Sequence, residues 1–102
     1  MTAAQSTIQI DNDRVRVTEW RFAPGAETGW HVHAMDYVVV PLYDGTLRIE
    51  TTSGVTDAEL LHGVSYARLA GAEHNVTNHN SFEFAFVEVE LKDGALSIEG
   101  RE

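Results

Sequence analysis

The feature that most limits the fold is the absence of helical periodicity. Apolar residues alternate over short runs, and Gly, Asp and Asn punctuate them. The runs read as strands near Ile8–Ile10, Val15–Phe22, Gly29–Val32, Tyr37–Tyr43, Thr46–Thr51, Ala58–Leu60, Val64–Leu69, His74–Thr77, Phe82–Leu91 and Leu96–Ile98. Breaks fall at "DND" before Val15, "APGAE" after Phe22, Asp44–Gly45, Ser53–Gly54, "NHNS" over Asn78–Ser81, and "KDGA" between the last two runs. Asp-Gly between two strands is a hairpin signal, so Asp44–Gly45 is expected to join a paired hairpin. A short helix near Thr56–Leu61 is the one competing assignment. Many short strands at regular spacing predict an all-β sandwich, barrel or jelly roll. With 102 residues and no linker, repeat or low-complexity tract, one domain over residues 1–102 is expected.

Composition excludes several kinds of chemistry. The chain has no cysteine, so disulfides, thiolate ligands and cysteine nucleophiles are all absent. Any metal must be held by His, Asp or Glu. Seven basic against sixteen acidic residues give a net charge of −9, which disfavours nucleic acid and anionic membrane as partners. No apolar run approaches the roughly 18 residues of a membrane helix, and the N-terminus lacks the pattern of a secretory signal. A soluble, cytoplasmic protein is the expectation.

His31 and His33 form a His-x-His pair, and alternate residues of a strand point the same way. A metal reading needs at least one further ligand, and a surface hairpin produces the same pair by chance. The second feature is "GVSYARLAGAEHNVTN", Gly63 to Asn78. There a strand runs into a turn at Gly71 and His74 opens the next strand. His62 and His79 fall in polar turns and read as solvated.

Together the two segments resemble the cupin family. Its first motif is Gly, five residues, His-x-His, three or four residues, Glu, six residues, Gly. Gly25, His31, His33 and Gly45 are in register with it. Its second motif is Gly, five residues, Pro-x-Gly, two residues, His, three residues, Asn. Gly63, Gly71, His74 and Asn78 match, with Leu69 in place of the proline. The resemblance covers about Gly25 to Asn78. It implies a small double-stranded β-helix, or jelly-roll barrel, of the single-domain bacterial kind. The motif's glutamate is missing, because the two allowed spacings place Tyr37 or Val38 there. What remains is a three-histidine site of His31, His33 and His74, to which Asp36 adds an oxygen only if the hairpin bends inward.

Three neutral imidazoles suit a divalent transition metal: Fe, Zn, Ni, Mn or Cu. Open positions on such an ion serve water, oxygen or substrate. Tyr66 and Arg68 fall where the cupin pattern usually has aliphatic residues lining the barrel. Arg68 either pairs with a strand carboxylate such as Glu88 or Glu90, turns outward, or anchors a substrate carboxylate. In the last case Tyr66 or Tyr37 serves as hydrogen-bond donor or general acid. Trp20, Phe22, Trp30, Phe82, Phe84 and Phe86 read as core, the three phenylalanines sharing one face. The resemblance further implies a homodimer. Three functions compete: a metal-dependent, dioxygenase-like enzyme acting on a small molecule, a non-catalytic small-molecule-binding cupin with a structural or vestigial metal, and, ranked last, a structural or regulatory partner of another protein. The wording of the segment from Thr18 to Leu42 also looks like that of short bacterial cupins given a role in β-alanine degradation.

Overall fold

The computed structural model of the chain describes residues 2–92. Nine strands follow one another: β1 (Gln5–Asp11), β2 (Val15–Phe22), β3 (His31–Val32), β4 (Asp36–Pro41), β5 (Gly45–Thr51), β6 (Gly54–Leu60), β7 (Tyr66–Arg68), β8 (Glu73–Asn78) and β9 (Phe84–Leu91). There is no helix among the described residues, and the competing helix at Thr56–Leu61 is a strand, β6, paired throughout with β5. The pairing supplies backbone hydrogen bonds that an isolated six-residue helix would make poorly. The expected strand Leu96–Ile98 lies outside the described residues.

Two sheets face each other. One has the order β1-β2-β9-β4-β7 and the other β3-β8-β5-β6. This is the jelly-roll barrel that the alternation predicts. Asp44–Gly45 does not close a hairpin, which corrects the expectation. β4 pairs with β7 and β9, β5 with β6 and β8, so the Asp-Gly turn carries the chain from one sheet to the other. Glycine is required at position 45 because a Cβ there would lie 2.8 Å from the Phe84 ring. The two-residue hairpin is instead Thr52–Ser53, between Thr51 and Gly54.

Within the barrel each inward face is graded. β2 presents Thr18, Trp20 and Phe22, and β9 presents Glu88, Phe86 and Phe84 in matching register. β4 adds Tyr37, Val39 and Pro41, and β8 adds His74, Val76 and Asn78. One end is therefore a sealed apolar floor of Phe22, Phe84 and Leu47, none more than 1% exposed. Asn78 closes that floor by donating to the carbonyls of Phe22, Ala23 and Phe82. The other end is polar and opens to solvent. Two aromatics expected in the core are not there. Trp30 precedes the very short β3, is 50% exposed, and bonds Glu73 at its edge. Phe82 sits in the turn before β9, 46% exposed.

Candidate metal centre

The polar end is built by one local pairing. His31 on β3 stands directly opposite His74 on β8. The turn that returns the chain to β8 is fixed to the first histidine segment: Gly71 N donates to the His33 carbonyl, and His33 N donates to the Ala72 carbonyl, each at 2.8 Å. Gly71 takes φ +99°, a backbone conformation that L side chains resist. Asp36 reinforces the same turn, its Oδ1 accepting from Ala70 N at 2.7 Å. The distance of some forty residues between His33 and His74 is thus closed by backbone hydrogen bonds, not by the side chains that meet there.

Three imidazoles converge as a result. His33 Nε2 lies 3.1 Å from His31 Nε2 and 3.2 Å from His74 Nε2. The ligand atoms of the three residues all fall within 4.8 Å of one another. His31 Nδ1 faces the Gly29 carbonyl at 2.8 Å, an acceptor only, so that nitrogen carries the hydrogen. The His31 Nε2 lone pair then faces the Nε2 of His33. Lone pairs converging at this separation repel unless a hydrogen or a cation lies between them. Imidazole nitrogens bound at about 2.0–2.1 Å, at angles of roughly 90–109°, sit about 2.8–3.4 Å apart. The two spacings about His33 meet that requirement, and the donor set fits a divalent transition metal.

Electrostatics keep two of the imidazoles, His33 and His74, in the form that a metal would need. Burial, then the neighbouring His31 and His74, push His33 down to about 4. Burial, then His31 and Arg68, push His74 down to about 4. Both are therefore neutral at pH 7, as a metal ligand must be. Tyr37, at one of the two positions where the cupin motif has glutamate, stacks on the His33 ring with centroids 3.8 Å apart and planes 17° apart. Burial pushes its hydroxyl up to about 12, so it stays protonated. The side chain braces a ligand where the motif's glutamate would have bound the ion.

The cluster lies on the wall of a cavity of about 350 Å³ whose lining also includes Trp20, Tyr66 and Glu88. Burial raises the Tyr66 hydroxyl as well. Arg68 is exposed at the edge strand β7. Its guanidinium carbon lies 4.7 Å from the Tyr66 ring centre, and its hydrogen bond goes to the Ala67 carbonyl. It makes no ion pair with Glu88 or Glu90 within the described residues. Asp36 is not brought to the imidazoles. It lies on the opposite side of β4 from Tyr37, with Oδ1 in the Ala70 turn and Oδ2 buried without a partner. His62 and His79 are exposed.

Glu88 is the site residue that sequence reasoning weighed only as a partner for Arg68. It is 7% exposed, accepts from Trp20 Nε1 at 3.1 Å, and lies 3.5 Å from His33 Nδ1. Burial above all, with Glu90 adding, pushes its carboxyl up to about 7 against the Trp20 hydrogen bond. The signal was available: the even-numbered face of Phe84 and Phe86 runs on directly into Glu88 and Glu90.

A barrel of two antiparallel sheets with a three-histidine cluster at its open end is the architecture of a cupin, and the chain belongs to that superfamily. It is 60% identical over 89 residues to the beta-alanine degradation protein BauB of Pseudomonas aeruginosa, an alignment covering 87% of this chain and 94% of that one. It matches the crystal structure of a cupin domain from Bordetella pertussis at 58% identity and TM-score 0.88, over 89% of this chain and 95% of that one. A protein with a double-stranded β-helix domain from Klebsiella pneumoniae shares the fold at 22% identity and TM-score 0.74, over 88% and 77%. No protein-family model matches the chain. No helix among the described residues is long and apolar enough to cross a membrane.

Proposed function

We propose that this cupin is a metal-dependent enzyme, dioxygenase-like, acting on a small carboxylate-bearing molecule. The observation that carries the reading is the convergence of three Nε2 atoms on the wall of an open cavity. Three neutral ligands leave the ion's charge and several of its positions free. When bound, the metal supplies a Lewis-acidic, and for iron a redox-active, centre for substrate and oxygen. The chain's own residues do the rest. Trp20, Val39, Ile49 and Phe86 give the cavity apolar wall that limits water. Tyr37 and Tyr66, held protonated by burial, are hydrogen-bond donors towards a bound oxygen.

Arg68 supports the carboxylate. It is a cation at the rim, free of ion pairs with the described residues, beside a tyrosine that lines the cavity. A guanidinium so placed offers a bidentate contact to an incoming acid. The name of the BauB relative concerns β-alanine, a three-carbon amino acid that is small and carries a carboxylate, which agrees with this reading. The reading includes a homodimer, supported by an edge strand β1 exposed along its whole length, with Ile8 and Ile10 on it. Light scattering of the purified chain tests that part.

The main test combines elemental analysis with oxygen uptake by Fe(II)-loaded protein over a panel of β-amino, β-oxo and thiol acids. Uptake with an acid, and a tenfold or greater rise in KM for Arg68→Leu at similar kcat, is the expected result. Absence of bound metal after loading with Fe(II), Ni(II) and Zn(II) would overturn the reading.

A further inference from the structure

The three imidazoles differ in what stands behind them. His31 Nδ1 faces a neutral carbonyl, that of Gly29, at 2.8 Å. His74 Nδ1 has no hydrogen-bond partner among the described residues. His33, the most buried of the three, has a carboxylate: Glu88 Oε2 at 3.5 Å. The other oxygen of that carboxylate is occupied by the Trp20 indole at 3.1 Å. No lysine or arginine among the described residues pairs with Glu88. Arg16 pairs with Asp11 and Glu90, and Arg68 lies over Tyr66. A carboxyl group buried this far needs hydrogen-bond donors, and an indole and an imidazole are what the barrel gives it.

We infer that Glu88 is the positioning residue for His33: it accepts the Nδ1 hydrogen, fixes the tautomer whose Nε2 lone pair faces the metal, and holds a carboxylate behind that ligand. The inference rests on the metal-site reading. It also accounts for the missing motif glutamate. Tyr37 stands at one of that residue's two possible positions and stacks on the His33 ring, while Glu88 approaches the same ring at its far nitrogen. The carboxylate has moved from the ion's own coordination sphere to the outer side of an imidazole. A carboxylate so placed raises the ligand's basicity and fixes its orientation while leaving a position on the ion open. Trp20 keeps the carboxylate pointed, since its indole holds one oxygen and so orients the other. At 3.5 Å the contact to His33 is longer than a formed hydrogen bond, and contacts of this kind tighten when a site is filled.

The test reads the tautomer first, in metal-free protein. Long-range 1H–15N NMR of histidine-labelled chain at pH 8 should show His33 with its hydrogen on Nδ1. Glu88→Leu should move the hydrogen largely to Nε2, whereas Glu88→Gln, whose amide oxygen still accepts, should keep it on Nδ1. Titration with Co(II) then follows. Glu88→Leu should bind about 10–100-fold more weakly and Glu88→Gln by a smaller factor, as expected for losing an outer partner of a ligand. Should Glu88→Leu not fold, Glu88→Gln alone decides on affinity: a loss of at least threefold supports the inference. An Nε2–H tautomer in the wild type, or Co(II) affinities of the variants within twofold of it, overturns it. A wild type that folds but binds no metal overturns the metal-site reading instead, and the tautomer result then decides the positioning role by itself.

Discussion

The floor and the mouth of the barrel are made by the same strands and obey opposite rules. At the floor, Phe22 meets Phe84 across β2 and β9, and Leu47 meets Asn78 across β5 and β8. Everything there is packed or hydrogen-bonded, and the one large polar side chain spends its amide on backbone carbonyls. At the mouth, the same strands turn Thr18, Glu88, Tyr37 and His74 inward and leave space. Stability is concentrated where the barrel is full and chemistry where it is not, about two residue pairs further along each strand.

This contrast is tested most severely by substitution at each end. Phe84→Ala opens a cavity in the floor and should lower unfolding free energy by about 3–5 kcal/mol, read by urea denaturation of metal-free protein. His74→Ala, two inward positions from Asn78 on the same strand, should change that stability by less than about 1 kcal/mol. It should nonetheless weaken metal binding by at least a hundredfold, because two imidazoles remain. A floor variant that loses metal affinity while fully folded, or a His74 variant that unfolds, would erase the distinction.

Much of this division was readable in the chain. Alternation gave the strands, and β2 is found with the bounds its apolar pattern implies. The two motifs named His31, His33 and His74, which the structure brings together. What the sequence concealed is pairing across sheets. Asp44–Gly45 has the chemistry of a hairpin turn, yet its neighbours bond to other strands, because only the assembled barrel decides which sheet β5 joins. Trp30 and Phe82 alternate like core residues, but each falls just outside a strand, where period-two reasoning no longer applies. Glu88 shows the same limit in the other direction. Its face was assignable, but its partner depended on which strand lay beside β9 and how far β3 reached.

Acid should separate the two ends further. His33 and His74 are pushed down to about 4 in the folded chain, while an unfolded chain protonates them near 6.5. Between those limits the unfolded state binds more protons, so these residues withdraw stability as pH falls through 6.5 towards 4. Glu88, pushed up to about 7 from 4.5, acts oppositely: the folded state binds its proton first, so acidification through that window adds stability. Two groups oppose one, and the metal-free protein should lose stability as pH falls from 6.5 to 4.5. Glu88→Gln should steepen the slope, and replacing both histidines should reverse its sign. Floor variants such as Phe84→Ala should leave it unchanged, because no titrating group is removed. Urea midpoints at half-unit steps of pH measure all four.

The smallest effect expected lies within the mouth, at Tyr37. Its ring stacks on His33 while its strand neighbour two residues on, Val39, belongs to the core. If the ring's role towards the ligand is mechanical, Tyr37→Phe keeps the stack and should alter Co(II) affinity by less than about twofold. Tyr37→Ala removes the brace and should weaken binding more than Tyr37→Phe does, since a ligand's orientation depends on the packing behind it. A Tyr37→Phe variant that lost metal as badly as Tyr37→Ala would mean that the hydroxyl, not the ring, supports the centre.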